Sequence, residues 1–176
     1  MVRRGQWRRS LNVIDRLVCS AVGDGFIAHY NGTEWKKQVD ETSGDLWQTY
    51  YSIWGTAGNN VLAVSNNCGT GQSIPAGARY DGDTWSWDQS YELSEGQLWV
   101  VSGFGSDEMY AGLLSGACET INNTFVVYDG GVGVRGRPPR RIIAGPLVGG
   151  WVLDIHAAGP NDLYAVANDG GTMVAL

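Results

Sequence analysis

Short apolar runs recur along this chain at regular distances, separated by polar turns that contain Gly. The clearest run occupies residues 61–64, and similar runs follow at residues 109–112 and 163–166. Each run contains an anchoring Ala, and the anchors are 48 and 54 residues apart. Such short apolar runs bounded by turn residues predict β-strands, and an earlier strand is predicted by a β-branched residue eight positions before the start of each run. The anchors are Ala63, Ala111 and Ala165, and the β-branched residues are Ile53, Val101 and Ile155.

A second repeated feature is a Tyr followed by Asn-Gly or Asp-Gly, at residues 30–32, 80–82 and 128–130. Asn-Gly and Asp-Gly between apolar runs predict a two-residue hairpin turn, because the turn needs positive φ. In the first copy, this turn would place Ala28 opposite Trp35 and His29 opposite Glu34. The second copy would pair Ala78 with Trp85 in the same way, so that a small residue leaves space for an indole. The third copy lacks the Trp and predicts a looser hairpin.

Together, these features define a unit of four short antiparallel strands with a period of about 50 residues, which is typical of a β-propeller blade. The chain is therefore predicted to be all-β, with β-propeller-type repeats. A basic arm at residues 1–10 is expected to be poorly ordered. The predicted units cover approximately residues 11–40, 46–89, 97–144 and 151–176.

The fourth predicted unit stops at Leu176, where its hairpin turn is due, so the sequence contains about three and a half blades. Propellers close with about four to eight blades. Either the two termini complete one blade between them, or the chain is part of a larger propeller, and the second alternative is favoured. We expect a partial or self-complemented ring that self-associates if it is incomplete, because open sheet edges pair with other chains.

The repeats resemble the kelch-like class of propeller proteins in their Ala-Val strand, the Gly-bearing turn after it, and a Tyr and Trp five residues apart. The spaced pairs are Tyr30 with Trp35 and Tyr80 with Trp85. The hairpin is also similar to a shortened Asp-box, the Asp-x-Gly-x-x-Trp turn of sialidase-type propellers, although here the Asn or Asp adjoins the Gly directly. The resemblance covers roughly residues 17–176. It implies a β-propeller and no particular function, because such folds carry many functions.

The distribution of charge narrows the classes of partner. Residues 17–134 contain fourteen acids and three cations, Lys36, Lys37 and Arg79, which leaves a net charge of −11. Nucleic acid is not an expected partner, because phosphate contacts need concentrated Lys and Arg. The basic segment at residues 135–141 is broken by Gly and Pro and is interpreted as a solvated loop.

No run of residues is apolar and long enough to span a membrane, and no apolar signal-peptide core follows Met1. The sequence does not determine the cellular compartment, and an extracellular or cell-surface location is favoured. Cys68 and Cys118 fall in equivalent loops of neighbouring predicted units. They would form a disulfide in an oxidising compartment, and the alternative is two unpaired loop thiols.

Candidate chemistry is sparse in this sequence. Most carboxylates fall in turns, which explain them, and no phosphate-binding loop, nucleophile elbow, zinc motif or calcium loop is present, so no cofactor or metal is expected. The residues that follow the three β-branched positions are Trp54, Ser102 and His156. The first strand of a propeller unit lies nearest the central axis, so these three are the candidate ligand-binding residues. Ordinary inner-strand positions are the alternative interpretation.

Two functions fit these observations. The first is a non-catalytic binding or scaffold module whose ligand is a protein or a glycan. The second is a fragment of a propeller enzyme such as a sialidase-like glycosidase. Sialidase-type sites need clustered Arg and a Tyr–Glu nucleophile pair, whereas the Arg residues here fall outside the repeated blade positions. The sequence therefore predicts a binding module rather than an enzyme.

Overall fold

In the part of the chain that it describes, the computed structural model consists of short antiparallel strands joined by turns, with one 3-10 turn at Gly44–Leu46. It describes residues 10–15, 18–46, 48–65, 77–87, 97–104, 108–115, 122–129, 150–159, 162–169 and 172–175. In chain order, the strands are β1 (Ser10–Asp15), β2 (Val18–Gly23), β3 (Phe26–Tyr30), β4 (Trp35–Val39), β5 (Tyr50–Ala57), β6 (Asn60–Ser65), β7 (Gly77–Tyr80), β8 (Trp85–Trp87), β9 (Gln97–Gly103), β10 (Glu108–Ser115), β11 (Asn122–Asp129), β12 (Gly150–Gly159), β13 (Asp162–Asp169) and β14 (Thr172–Ala175).

These strands form four antiparallel sheets, each built from neighbours along the chain. Sheet 1 contains β1 to β4, sheet 2 contains β5 to β8, sheet 3 contains β9 to β11, and sheet 4 contains β12 to β14. The first strands of the sheets pack in series, with β1 against β5, β5 against β9 and β9 against β12. The predicted all-β class is confirmed. Among the described segments, none forms a helix with the length and hydropathy that crossing a membrane requires.

The repeat seen in the sequence is also a repeat of strand register. Ile53 lies opposite Ala63, and Val101 lies opposite Ala111. Ile155 lies opposite Ala165 in the same way. In sheet 1, the corresponding pair is Leu11 and Ala21, which the sequence repeat did not include. One alignment of inner strands therefore holds in all four sheets.

The predicted pairing at the hairpin turns is wrong by two residues, although both turns lie where they were predicted. Trp35 lies opposite Tyr30 rather than Ala28, and the two ring centroids are 5.5 Å apart. Trp85 likewise lies opposite Tyr80, at 5.3 Å. Each connection therefore has four residues instead of two, and the Trp packs on the Tyr that precedes the turn.

The longer turn has a local cause in its first side chain. Asn31 Oδ1 accepts hydrogen bonds from the main-chain N–H groups of Thr33 and Glu34, at 3.0 Å each. Asp81 Oδ1 accepts from Asp83 and Thr84 at 2.9 and 2.8 Å. An Asn or Asp that binds the N–H groups ahead of it organises a turn of this length. The Gly that follows still has positive φ, 94° at Gly32 and 107° at Gly82.

Asp81 gives the second turn a dependence on pH that the first turn lacks. The hydrogen bonds from the N–H groups of Thr84 and Asp83 hold the pKa of the Asp81 carboxyl below its usual range. Because the folded-state pKa is lowered, this stabilisation is complete above the unfolded-state pKa, near 4, and is lost as the pH falls through the folded-state pKa. Asp81→Asn should keep the turn, as Asn31 does, and should weaken the loss of stability on acidification.

Thermal unfolding midpoints measured from neutral pH to about pH 2 test this expectation. Asp83→Asn is the matched control, since Asp83 contributes its main-chain N–H to the turn. An equal effect of both substitutions on the acid limb of the pH profile would contradict the assignment to Asp81.

The core lies in layers between successive sheets. Between sheets 1 and 2, the indole N–H of Trp85 donates to Gln38 Oε1 at 2.8 Å. Tyr50 is also buried in this layer, and its hydroxyl donates a hydrogen bond to the Leu46 carbonyl at 2.7 Å. The burial raises the pKa of the Tyr50 hydroxyl. The buried residues of the layer are Val22, Ile27, Val39, Tyr50, Ile53, Val61, Ala63, Ala78 and Trp85.

A corresponding layer between sheets 3 and 4 packs Val100 and Tyr110 against Ile155, Ala157 and Ala165. The side of sheet 4 that carries its anchor Ala therefore faces sheet 3, as the anchor-Ala side of sheet 2 faces sheet 1. In both layers, the anchor-Ala side of the later sheet packs against the sheet that precedes it in the chain.

Several predictions concern residues outside those that the structure describes. They include the Cys68 and Cys118 pair and the third hairpin turn beyond Asp129. The basic segment at residues 135–141 and residues 1–9 of the basic arm also lie outside, while Ser10 begins β1.

Candidate functional site

Trp54, Ser102 and His156 occupy the same register position in three successive sheets. Trp54 lies opposite Leu62 in sheet 2, and Ser102 lies opposite Tyr110 in sheet 3. His156 lies opposite Tyr164 in sheet 4. The corresponding position of sheet 1 is held by Asn12, opposite Ser20, which the sequence analysis did not single out.

The surroundings of the three predicted residues differ. Trp54 is half-buried, Ser102 is buried and His156 is exposed. Ser102 Oγ accepts a hydrogen bond from the N–H of Ala157 in sheet 4, at 3.2 Å. The Ser102 hydroxyl is therefore used to join two sheets, because it satisfies a buried main-chain donor of the neighbouring sheet.

A second serine joins sheets 2 and 3 in a similar way. Ser52 Oγ accepts from the N–H of Val101 at 3.2 Å and donates to the Val101 carbonyl at 3.4 Å. Side chains two residues apart on a strand lie on the same face, so Trp54 faces sheet 3 as Ser52 does. Trp54 therefore lies between sheets 2 and 3, whereas Ser102 lies between sheets 3 and 4. His156 lies on the exposed side of sheet 4.

Sheet 2 carries a group of hydrogen-bonded polar side chains that the sequence analysis did not identify as a candidate site. The Arg79 guanidinium donates to Asn60 Oδ1 at 2.6 Å, and the Asn60 side-chain amide donates to Thr56 Oγ1 at 3.1 Å. Arg79 lies opposite Leu62, which lies opposite Trp54, so Arg79 and Trp54 share one face of the sheet.

Arg79, Asn60, Thr56 and Trp54 are all half-buried, and we refer to these four residues as the Arg79 cluster. One sequence feature could have indicated it: Arg79 is the only Lys or Arg between Lys37 and Arg135. Because Arg79 is the only cationic side chain in this acidic stretch of sequence, it is the position there that attracts an anionic group of a ligand. A planar guanidinium also suits a carboxylate, since its donors form a fork that matches the two oxygens.

His29 does not lie opposite Glu34, as the two-residue turn predicted. It lies opposite Lys36, and Lys36 is the residue that pairs with Glu34, at 3.1 Å. The His29 Nδ1 atom is 3.4 Å from Ser20 Oγ, and its ring is 6.3 Å from that of Tyr80 in sheet 2. The contact with Tyr80 places His29 between sheets 1 and 2. Its burial there lowers the pKa of the imidazole.

In the part of the chain that the structure describes, no group of three or more His, Cys, Asp or Glu side chains is arranged to hold a metal ion. The Asp81 carboxylate is engaged by its own turn. The Arg79 cluster offers hydrogen-bond donors, acceptors and an aromatic face, which are the means of binding a ligand.

Comparison with known proteins bears on the fold. No protein-family model matches this sequence, and no curated protein matches it. A solved structure described as "YCF48 bound to D1 peptide" is similar to this chain, with a TM-score of 0.52 and 14% sequence identity. The alignment covers 94% of this chain and 48% of that one, so this chain spans about half the length of the structure it matches. That protein is a β-propeller, and the predicted β-propeller architecture of this chain is confirmed.

Proposed function

We propose that this chain is a non-catalytic binding module of the β-propeller class, and that its ligand is a peptide segment of another protein. The observation that carries the proposal is the Arg79 cluster, in which the half-buried Arg79 and Trp54 share one face of sheet 2 and Arg79 is hydrogen-bonded through Asn60 to Thr56.

The chemistry of the Arg79 cluster selects the class of peptide. An extended peptide presents main-chain donors and acceptors, which Asn60 and Thr56 can bind, and Arg79 favours a peptide with an Asp, a Glu or a C-terminal carboxylate. Trp54 adds an apolar contact of large area. The similar solved structure is that of a protein bound to a peptide, which supports a peptide as the class of ligand.

We further propose that the units belong to the kelch-like class of propeller repeats. Support comes from the shared arrangement of sheets 1 and 2, in which an anchor Ala lies on the second strand and a Tyr–Trp pair flanks a Gly-bearing turn. The absence of catalysis is also part of the proposal. A sialidase-like activity is its alternative, and hydrolysis of a sialoside that is lost on substitution of one carboxylate would establish that activity.

Selection from a library of short peptides on the immobilised chain tests the proposed ligand. We expect enrichment of peptides with a carboxylate near an apolar residue. Arg79→Gln should weaken the binding of a selected peptide on the order of 10-fold to 100-fold, because it removes one partner of a desolvated charge pair. Trp54→Ala should weaken it as well, and titration calorimetry measures both changes.

Lys36→Gln is the matched control, since it removes an exposed cation whose partner is Glu34 and should leave peptide affinity unchanged. Thermal unfolding of each variant separates lost binding from lost structure. Equal affinities of the wild-type chain and the Arg79→Gln variant would refute the assignment of the site. Enrichment of glycans on an array, with no peptide selected, would replace the peptide by a sugar as the ligand.

A further inference from the structure

Sheet 4 has one side on which each residue with a described side chain is exposed. Along β12, exposed and buried residues alternate from Asp154 to Ala158, and Ile155 and Ala157 are the buried ones. Along β13, Tyr164 and Val166 are exposed on either side of the buried Ala165. Since alternate residues of a strand lie on opposite faces, the exposed residues share one side of the sheet. We call this side the terminal face, and its members are Asp154, His156, Asp162, Tyr164 and Val166.

In sheets 2 and 3, the register position of Tyr164 is covered by the sheet that follows. Leu62 of sheet 2 has no exposed surface and Tyr110 of sheet 3 is 8% exposed, whereas Tyr164, at the same register position, is 56% exposed. An aromatic ring and a β-branched side chain thus stand in solvent at positions that the repeat buries elsewhere. Exposed apolar side chains grouped on one face mark a surface that binds a partner.

Sheet 1 supplies the complementary side, which is exposed at Trp35 and Lys37 and buried at Phe26 and Ala28. Leu11, Ala21 and Ala28 have the register of Ile53, Ala63 and Ala78, which form the side of sheet 2 that packs on sheet 1. The Tyr30 and Trp35 pair corresponds to Tyr80 and Trp85. Trp85 is 9% exposed beneath sheet 1, whereas Trp35 is 42% exposed. We call this side of sheet 1 the leading face.

We propose that the terminal face of one copy of this chain docks on the leading face of a second copy. The contact would continue the packing that already joins sheet 1 to sheet 2 and sheet 3 to sheet 4. Asp154 and Asp162 on the terminal face would meet Lys37 on the leading face, which lies opposite Ala28 and pairs with Glu41 of its own chain at 3.8 Å. The two faces differ, so the association is head-to-tail, and such contacts form rings when the rotation closes.

Sedimentation velocity over about a hundredfold range of concentration tests this proposal, since the extent of self-association depends on protomer concentration. The wild-type chain should form dimers. Tyr164→Glu should weaken the dimer at least about tenfold, because buried Tyr residues dominate interface energies. Trp35→Glu should act similarly, and Lys37→Glu provides a second leading-face variant that retains the Trp35 ring. Phe104→Glu is the matched control, because Phe104 is an exposed aromatic residue outside both faces.

Mixing two defective variants tests the head-to-tail arrangement itself. A Tyr164→Glu copy keeps its leading face and a Trp35→Glu copy keeps its terminal face, so an equimolar mixture should form a heterodimer that neither variant forms alone. A wild-type chain that stays monomeric, or a Tyr164→Glu chain that dimerises as the wild type does, would overturn the proposal. An unaffected Trp35→Glu dimer together with an unaffected Lys37→Glu dimer would show that the terminal face pairs with itself, which also overturns it. Circular dichroism of each variant establishes that it is folded.

Discussion

Replacing Leu62 with Ala should lower the free energy of unfolding by about 2–5 kcal/mol, the range found for Leu→Ala at fully buried sites. Leu62 is fully buried in the centre of β6, with Trp54 on one neighbouring strand and Arg79 on the other. The lost methyl groups cannot be replaced by relaxation alone, because strands bonded on both sides hold the surrounding backbone in place. The substitution would leave a cavity beneath the Arg79 cluster.

Urea unfolding followed by far-ultraviolet circular dichroism measures this loss. Leu46→Ala is the matched control, since the same atoms are removed from a half-buried residue that packs at the margin of the core between sheets 1 and 2. We expect Leu46→Ala to lower the free energy of unfolding markedly less than Leu62→Ala does. Equal losses for the two variants would mean that β6 is not the centre of the packed sheet.

Replacing Gly82 with Ala should cost about 1–3 kcal/mol, because the residue has a backbone conformation that is strained for residues with a Cβ. The φ of Gly82 is +107°, and an added Cβ would lie 2.8 Å from the Cβ of Asn59 in the neighbouring turn. The backbone strain and the close contact act together, since an Ala methyl at position 82 cannot move away from Asn59 without a change in the conformation of the turn.

Two other Gly residues separate these causes. Gly44 has a φ of +61° with no atom within 4 Å of an added Cβ, so Gly44→Ala reports the backbone strain alone. Gly58 also has open space around an added Cβ, and its φ lies outside the strained range, so Gly58→Ala should be nearly neutral. Thermal unfolding of the three variants should rank them with Gly82→Ala the least stable. A Gly82→Ala variant as stable as Gly58→Ala would contradict the close approach of the two turns.

The serine bridges explain how neighbouring sheets adhere where their inner strands meet. Ser52 satisfies both main-chain groups of Val101, and Ser102 satisfies the N–H of Ala157. A buried donor without a partner costs about 1–3 kcal/mol, so these hydroxyls contribute to the cohesion of the stack. A polar residue on an inner strand of a repeat fold can thus bind the next sheet rather than a ligand.

The proposed peptide site and the proposed self-association surface lie on different sheets and are independent of one another. The Arg79 cluster belongs to sheet 2, whereas the terminal and leading faces belong to sheets 4 and 1. Tyr164→Glu should therefore leave peptide affinity unchanged, and Arg79→Gln should leave the dimer unchanged. These two measurements distinguish failure of one proposal from failure of the other.

The local order of the strands was determined by the sequence itself. Alternating apolar runs, the Ala anchors and the Gly-bearing turns predicted an all-β propeller and the positions of both described hairpin turns, because these features depend on residues near one another in the chain. The repeat also predicted that Trp54, Ser102 and His156 are equivalent, which the registers of β5, β9 and β12 bear out. Whether these residues bind a ligand stays a prediction.

Only the tertiary structure decided the environment of each repeated position. The turn length is different, because it has a local cause that the sequence analysis missed: the side chains of Asn31 and Asp81 bind main-chain N–H groups and shift the pairing of Trp35 and Trp85 by two residues. Equivalent residues then acquired different surroundings, since what covers a face of one sheet is the sheet next to it. Packing between sheets joins residues about 50 positions apart, and local patterns carry no information on such contacts. For that reason the exposed Tyr164, the buried Tyr110 and the hydrogen bond of Ser102 became visible only in the folded chain.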